Sequence, residues 1–276
     1  MIWGSTWVVI AEGLDDLPPY TSAGARFALA FLVMCAAVPR LRRMEGGANP
    51  PTWLWMSVGL LNFAVSYGIV YKAEQVLASG LTSVLWAVFP LLMALSGQWF
   101  LNERLRFLQW LGFGVGFLGV TLLFLKDLDG ATVEGEEFEA ALLLLGSPFV
   151  SAIGQTLMKR YGQHASSLAL NRNAMGLGAL LLLVMAAFTE QDAEARWTTS
   201  AILSIVYLGV VGTSLAFSLL FWLLRSQRAS SLSVIAFLTP LLALILGAVL
   251  RGEELTPPRL VGAGLVLVGV ALAVKK

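Results

Sequence analysis

Residues 90–126 read PLLMALSGQWFLNERLRFLQWLGFGVGFLGVTLLFLK, and residues 240–276 read PLLALILGAVLRGEELTPPRLVGAGLVLVGVALAVKK. The two stretches share one layout at a constant offset of 150. Pro90 answers Pro240, Gly97 answers Gly247, Glu103 answers Glu253 and Leu105 answers Leu255. Gly112, Gly114, Gly119 and Lys126 answer Gly262, Gly264, Gly269 and Lys276. The offset is about half of the 276-residue chain. A unit repeated once at that distance divides the chain into two related halves.

Both copies are strongly apolar, and so is the rest. The chain is 58% hydrophobic and 13% charged, with mean hydropathy +0.79. A soluble domain carries about 25% charged residues. There is too little polar surface to coat a water-soluble particle, so the solvent is a bilayer. No stretch is basic enough to suggest nucleic acid as a partner. Cys35 is the one cysteine and lies in an apolar run, so no disulfide forms within the chain. No basic segment precedes the apolar sequence after Met1, so there is no signal-peptide pattern.

A helix needs about 20 apolar residues to cross the hydrocarbon. Windows of that size give spans at about 1–12, 19–38, 52–73, 78–100, 106–125, 139–158, 166–188, 198–224, 230–250 and 257–274. Pro18, Pro19, Pro50, Pro51, Pro257 and Pro258 stand at span entrances, where a helix tolerates proline. The first span is short, which predicts a start upstream of Met1. The expected fold is an all-α membrane protein of ten transmembrane helices. Residues 1–126 form the first five-helix repeat, 127–138 an acidic loop and 139–276 the second repeat. Five is odd, so the second repeat enters the membrane in the opposite sense. Arg26 and Arg172 correspond loosely near the repeat starts.

Charge sets the expected orientation. With both termini in the cytoplasm, the inside receives Arg40, Arg42, Arg43, Arg104, Arg106, Lys159, Arg160, Arg225, Arg228, Lys275 and Lys276. The outside receives Lys72, Lys126, Arg196, Arg251 and Arg259. The positive-inside rule favours this arrangement. The acidic segments 127–138 and 190–194 then face outward.

Trp3-Gly4-Ser5-Thr6-Trp7 opens the chain, and Arg26-Phe27 follows early in the second span. Then come Pro90-Leu91, Leu101-Asn102-Glu103-Arg104-Leu105 and Gly112-x-Gly114 to Gly119-Val120. The block recurs as Pro240-Leu241, Gly252-Glu253-Glu254-Leu255, Gly262-x-Gly264 and Gly269-Val270. Over nearly its whole length the sequence resembles the EamA family of the drug/metabolite transporter superfamily. The resemblance implies an inner-membrane carrier of amino acids, related metabolites or drugs, with a 5+5 inverted fold.

Charged groups inside a membrane default to functional roles. Arg26 lies some seven residues into the second span. It either faces a cavity and attracts an anionic group or snorkels to headgroups. Glu103 and Glu253 recur at matched positions after spans four and nine, and each is expected to cap the helix that follows. No Asp or Glu falls mid-span, which argues against a carboxylate proton relay. His164 lies in a loop. No His/Asp/Glu cluster has metal-ligand spacing, and no cofactor is expected. Ser230, Ser231 and Ser233 lack a partner base, so a hydrolase is not indicated.

The polar residues within spans are neutral or aromatic. Asn62, Ser66, Tyr67 and Tyr71 recur at helical spacing on span three. Trp86 is on span four, Ser147, Ser151 and Gln155 are on span six, and Tyr207, Thr213 and Trp222 are on span eight. Such faces line a solute cavity or bridge neighbouring helices. Pro90 and Pro240 bend spans four and nine and are the expected hinges. The glycines of spans five and ten allow close helix contact. The expected function is export of amino acids or related small metabolites by alternating access. The alternatives are a multidrug or nucleotide-precursor carrier, or a non-transporting assembly or sensor protein. The expected partners are a small-molecule substrate and the lipid bilayer. Monomer and homodimer both stay open.

Overall fold

The computed structural model describes residues 2–101, 105–123, 135–219 and 234–274. The elements among them are helices, with one isolated bridge between Ala48 and Ala165. They are α1 Ile2–Leu14, α2 Pro19–Glu45, α3 Thr52–Ala73, α4 Ser79–Phe100, α5 Phe107–Leu123 and α6 Glu136–Tyr161. After these come α7 Ser167–Thr189, α8 Thr199–Leu219, α9 Val234–Arg251 and α10 Pro257–Val274. Six of them (α2, α3, α4, α6, α7 and α8) are long and apolar enough to cross a membrane. The outer faces of the helices carry exposed Leu32, Trp99, Phe107, Phe188 and Val249. An apolar surface of that extent is stable against lipid, not water.

Helix boundaries follow the residues. Pro18 and Pro51 precede α2 and α3, and Pro257 opens α10. Helix α6 begins at Glu136, inside the segment expected to be loop. Glu136, Glu137 and Glu139 fill its first turn, where the helix dipole favours anions. Helix α4 is interrupted at Ala87 and Val88. Pro90 has no N–H to donate one turn back, which weakens the helix there. Helix α9 is helical straight through Pro240.

The helices pack in a pattern that repeats five elements on. Helix α1 lies against α9 as α6 lies against α4, and α3 meets α6 and α7 as α8 meets α1 and α2. Helices α2 and α7 pack together, as do α5 and α10. Helices α3 and α8 each carry a π-helical stretch, Gly59–Val65 and Tyr207–Leu215.

The α5–α10 contact depends on glycine. A Cβ on Gly112 would sit 2.6 Å from the Gly269 carbonyl oxygen, and one on Gly119 would sit 2.6 Å from the Val266 nitrogen. Gly114 and Gly264 were expected in the same contact and are not in it: a Cβ there meets nothing within 4 Å. They fall on the opposite side of their helices.

Carboxylates close the helix ends across the two halves. Glu190, after α7, accepts from the Tyr20 and Thr21 nitrogens at 2.7 and 2.9 Å, at the start of α2. Glu45, ending α2, accepts from the Ser167 nitrogen at 3.0 Å and from the hydroxyls of Ser166 and Ser167, at the start of α7. Glu253 accepts from the Ser79 nitrogen at 2.7 Å, the Ser79 hydroxyl at 2.6 Å and the Gly80 nitrogen at 2.9 Å. It therefore caps α4, not the following α10 as expected. The orphan N–H groups of α4 lie beside the 252–256 loop in space, although they are far away in sequence. Glu103 lies outside the described residues.

Candidate functional site

Arg26 is 1% exposed and is among the largest fully buried side chains. Its charge is held without a carboxylate: among the described residues no ion pair reaches it. The Arg26 Nε donates to the Thr213 hydroxyl at 3.0 Å, and Nη1 donates to the Tyr71 hydroxyl at 3.3 Å. The guanidinium also lies 4.9 Å from the centre of the Tyr67 ring and 5.3 Å from that of Phe27. A desolvated cation over an aromatic face gains about 2 kcal/mol. Helices α2, α3 and α8 converge on this group, and Thr213 sits in the π-helical stretch of α8. π-Bulges re-aim side chains and recur at functional sites.

An aromatic cluster surrounds the cation. Phe27 meets Tyr67 at 4.8 Å and Phe63 at 5.3 Å, and Phe63 meets Phe217 at 6.0 Å. On the α1–α4 side, Trp7 lies 6.2 Å from Trp86, which stacks on Phe89 at 4.8 Å. Tyr207 bonds the Ser5 hydroxyl at 2.7 Å, and the Trp3 Nε1 donates to the Gly212 carbonyl at 3.2 Å. The opening Trp3–Trp7 motif thus joins α1 to α8 and α4.

The other polar stripe is hydrogen-bonded to itself. Ser66 and Ser147 share a bond of 2.8 Å, Ser151 donates to Ser66 at 2.9 Å, and the Trp86 Nε1 donates to Ser147 at 3.1 Å. The Asn62 Nδ2 donates to the Ser151 carbonyl at 3.3 Å, while its Oδ1 is buried without a partner. These residues form one seam between α3, α4 and α6. Gln155 is half-buried further along α6. Trp222 lies outside the described residues. Arg26, Tyr67 and Tyr71 therefore stand together. Asn62, Trp86, Ser147 and Ser151 form a second group, and Tyr207 belongs to the α1–α8 contact.

Glu74 was not picked out from the sequence. It follows the last turn of α3, its nitrogen bonded to the Val70 carbonyl at 2.9 Å. It is 4% exposed, and neither carboxylate oxygen has a partner. Burial first, and then the neighbouring Glu253, hold its pKa well above the usual carboxylate range; Arg26 and Arg251 oppose this. Its signal was spacing: Tyr67, Tyr71 and Glu74 fall on one face of a helix. Its place just past the expected 52–73 span set it outside a search for mid-span carboxylates.

Glu74 borders a cleft of about 420 Å³ that Asp15, Gln75, Ser79, Arg251 and Glu253 also line. Arg251 binds Asp15 at 2.9 and 3.1 Å and Glu12 at 3.1 Å, tying α9 to α1. Arg196 pairs with Asp16 at 3.2 Å at the start of α8. Acidic groups dominate this end of the bundle.

Apolar helices enclosing a buried, hydroxyl-held cation define a multi-pass α-helical membrane protein with an interior polar site. The chain belongs to the EamA-like transporter family, whose sequence profile matches residues 1–125 and 139–275. It is 27% identical over 273 residues to the uncharacterized transporter YoaV of Bacillus subtilis, covering 98% of this chain and 92% of that protein. The uncharacterized inner membrane transporter YedA of Escherichia coli K12 is 28% identical, with 99% and 87% covered. A Salmonella typhimurium protein named "Probable amino-acid metabolite efflux pump" is 29% identical, with 99% and 91% covered. A solved crystal structure superposes with TM-score 0.72 at 18% identity, covering 99% of this chain and 92% of that one; it shares the fold.

Proposed function

We propose that the chain is an inner-membrane exporter of amino acids or related small metabolites that works by alternating access. In this reading all ten helices span the bilayer as two inverted repeats, 1–126 and 139–276, joined through 127–138. The five-element repetition of the helix contacts supports the layout. The doubled family match supports it as well.

One observation carries the reading: a fully buried Arg26 whose guanidinium is held by hydroxyls and aromatic faces, with no carboxylate paired to it among the described residues. A carboxylate-bearing solute supplies the missing anion in a bidentate geometry that a guanidinium favours. Tyr67 and Tyr71 supply the wall of that site. The serine seam around Ser147 holds α3, α4 and α6 in place. The break before Pro90, with Pro240 at the matching position, is the bend over which the halves rock. The names of YedA and of the Salmonella efflux pump support membrane and substrate class.

The test is export from proteoliposomes loaded with single amino acids. Hydrogen bonds to charged groups contribute about 1.5–3 kcal/mol. Arg26→Lys therefore lowers export about tenfold or more at equal protein content, because lysine keeps the charge and loses the fork. Equal export by the lysine variant, or no export of any carboxylate-bearing solute by the parent, rejects the reading.

A further inference from the structure

Among the described charged residues that line the cleft, Glu74 is the one without a hydrogen-bond partner. Asp15 and Glu12 share Arg251. Glu253 takes three donors from Ser79 and Gly80. Arg26 is occupied by Thr213 and Tyr71. Lys72 points outward and donates to Gln75 at 3.1 Å. Glu74, 96% buried by its 4% exposure, has no donor for either oxygen although it borders the cleft.

An ionised carboxylate in that position loses its hydration and regains no hydrogen bond. The cost of such a burial is several kcal/mol per ion. A second carboxylate, Glu253, sits beside it and adds repulsion. The cations that face it, Arg26 from α2 and Arg251 from α9, place no hydrogen bond on it: those of Arg26 go to Thr213 and Tyr71, and those of Arg251 to Asp15 and Glu12. The cheapest occupant of the site is a proton.

We infer that Glu74 is a proton-binding site that governs the acidic end of the bundle: it is a carboxylic acid while its carboxylate stays buried at the wall of the 420 Å³ cleft, and it gives its proton to water when that end opens further. The inference rests on the transporter reading only for its purpose, since it makes one gate of the carrier responsive to pH. The raised pKa of Glu74 agrees with it, with burial first and Glu253 second as causes. The sign follows from linkage. The closed form binds the extra proton, so rising pH through the raised pKa destabilises closure and favours the open end. The seat of this proton is an element end, which is why a search for mid-span carboxylates passes over it.

The test uses the full chain in lipid vesicles, with Cys35→Ser and a reporter at Ala11→Cys. Ala11 is buried and lines the same cleft. Labelling by a small hydrophilic thiol reagent is read against the denatured chain at each pH, which removes the thiol's own titration. As pH climbs through the raised pKa of Glu74, the normalised rate rises about tenfold, the change carried by one pKa unit. Glu74→Gln holds the low-pH rate throughout, and Glu74→Asp keeps a rise. Infrared spectroscopy of the parent at neutral pH shows a protonated-carboxyl band that Glu74→Gln removes and Glu74→Asp shifts. An equal pH rise in Glu74→Gln, or no such band in the parent, overturns the proposal. Neither measurement needs a transported solute, so a chain that exports no amino acid can still pass, and an active exporter can still fail.

Discussion

Single residues here divide into those that hold the bundle and those that wait for something. Ser147 belongs to the first kind. It is fully buried, pairs with Ser66 and accepts from the Trp86 indole. Ser147→Ala leaves the half-buried Trp86 indole N–H without its partner and takes one of two bonds from the Ser66 hydroxyl, and a buried group left unsatisfied costs about 1–3 kcal/mol. The variant should melt earlier in detergent, and combining it with Ser66→Ala should cost less than the two single changes added, because both remove the same Ser66–Ser147 bond. A double variant that is fully additive rejects a shared seam. The sequence showed Arg26 readily, because a charge inside an apolar run stands out. It did not show that Thr213, 187 residues away, receives its Nε. Glu74 was hidden for a related reason: an acidic residue just past a span looks solvated until the neighbouring α9 and α1 are seen to cover it.

Elements were legible where a single helix decides its own fate. Length, apolarity and proline entrances placed α3 at residues 52–73, where the structure has it. What one element does to another was not legible. Glu253 caps a helix that starts 174 residues earlier, and no local rule for a helix start could connect the two. Glycine faces failed in the same way: Gly112, Gly114, Gly116 and Gly119 look equivalent in the sequence, yet a helix of 3.6 residues per turn cannot point all four at α10. The structure turns Gly114 outward and places Gly119 against the Val266 nitrogen. Gly119→Leu should therefore separate α5 from α10 and destabilise the protein by at least the about 1–3 kcal/mol of an overpacked core. Gly114→Leu adds one apolar side chain to a lipid-facing surface and should leave the melting temperature unchanged. Thermal unfolding in one detergent reads both, and equal losses would mean that α10 does not lie where these glycines place it.

At the scale of the whole molecule, charge is sorted by end. Asp15, Asp16, Glu74, Glu190 and Glu253 meet at the end where α1, α3 and α7 finish and α2, α4 and α8 begin. Arg42, Arg43, Lys159 and Arg160 fall in the last turns of α2 and α6, at the opposite end, where Glu45 caps α7. The reciprocal Glu45 and Glu190 caps join α2 to α7 at both ends and hold the two antiparallel, the relation expected of elements drawn from oppositely inserted halves. The membrane distinguishes the two ends because basic residues near span ends are retained on the cytoplasmic side. The acidic end should therefore face outward, which is also the side on which a proton-sensitive gate would meet the external pH. A reporter active only in the periplasm, inserted in the exposed turn at Gln191 and Asp192, should be active. The same reporter after Lys276 should be silent. If the pattern is reversed, the basic end faces out, and the gate governed by Glu74 opens to the cytoplasm instead.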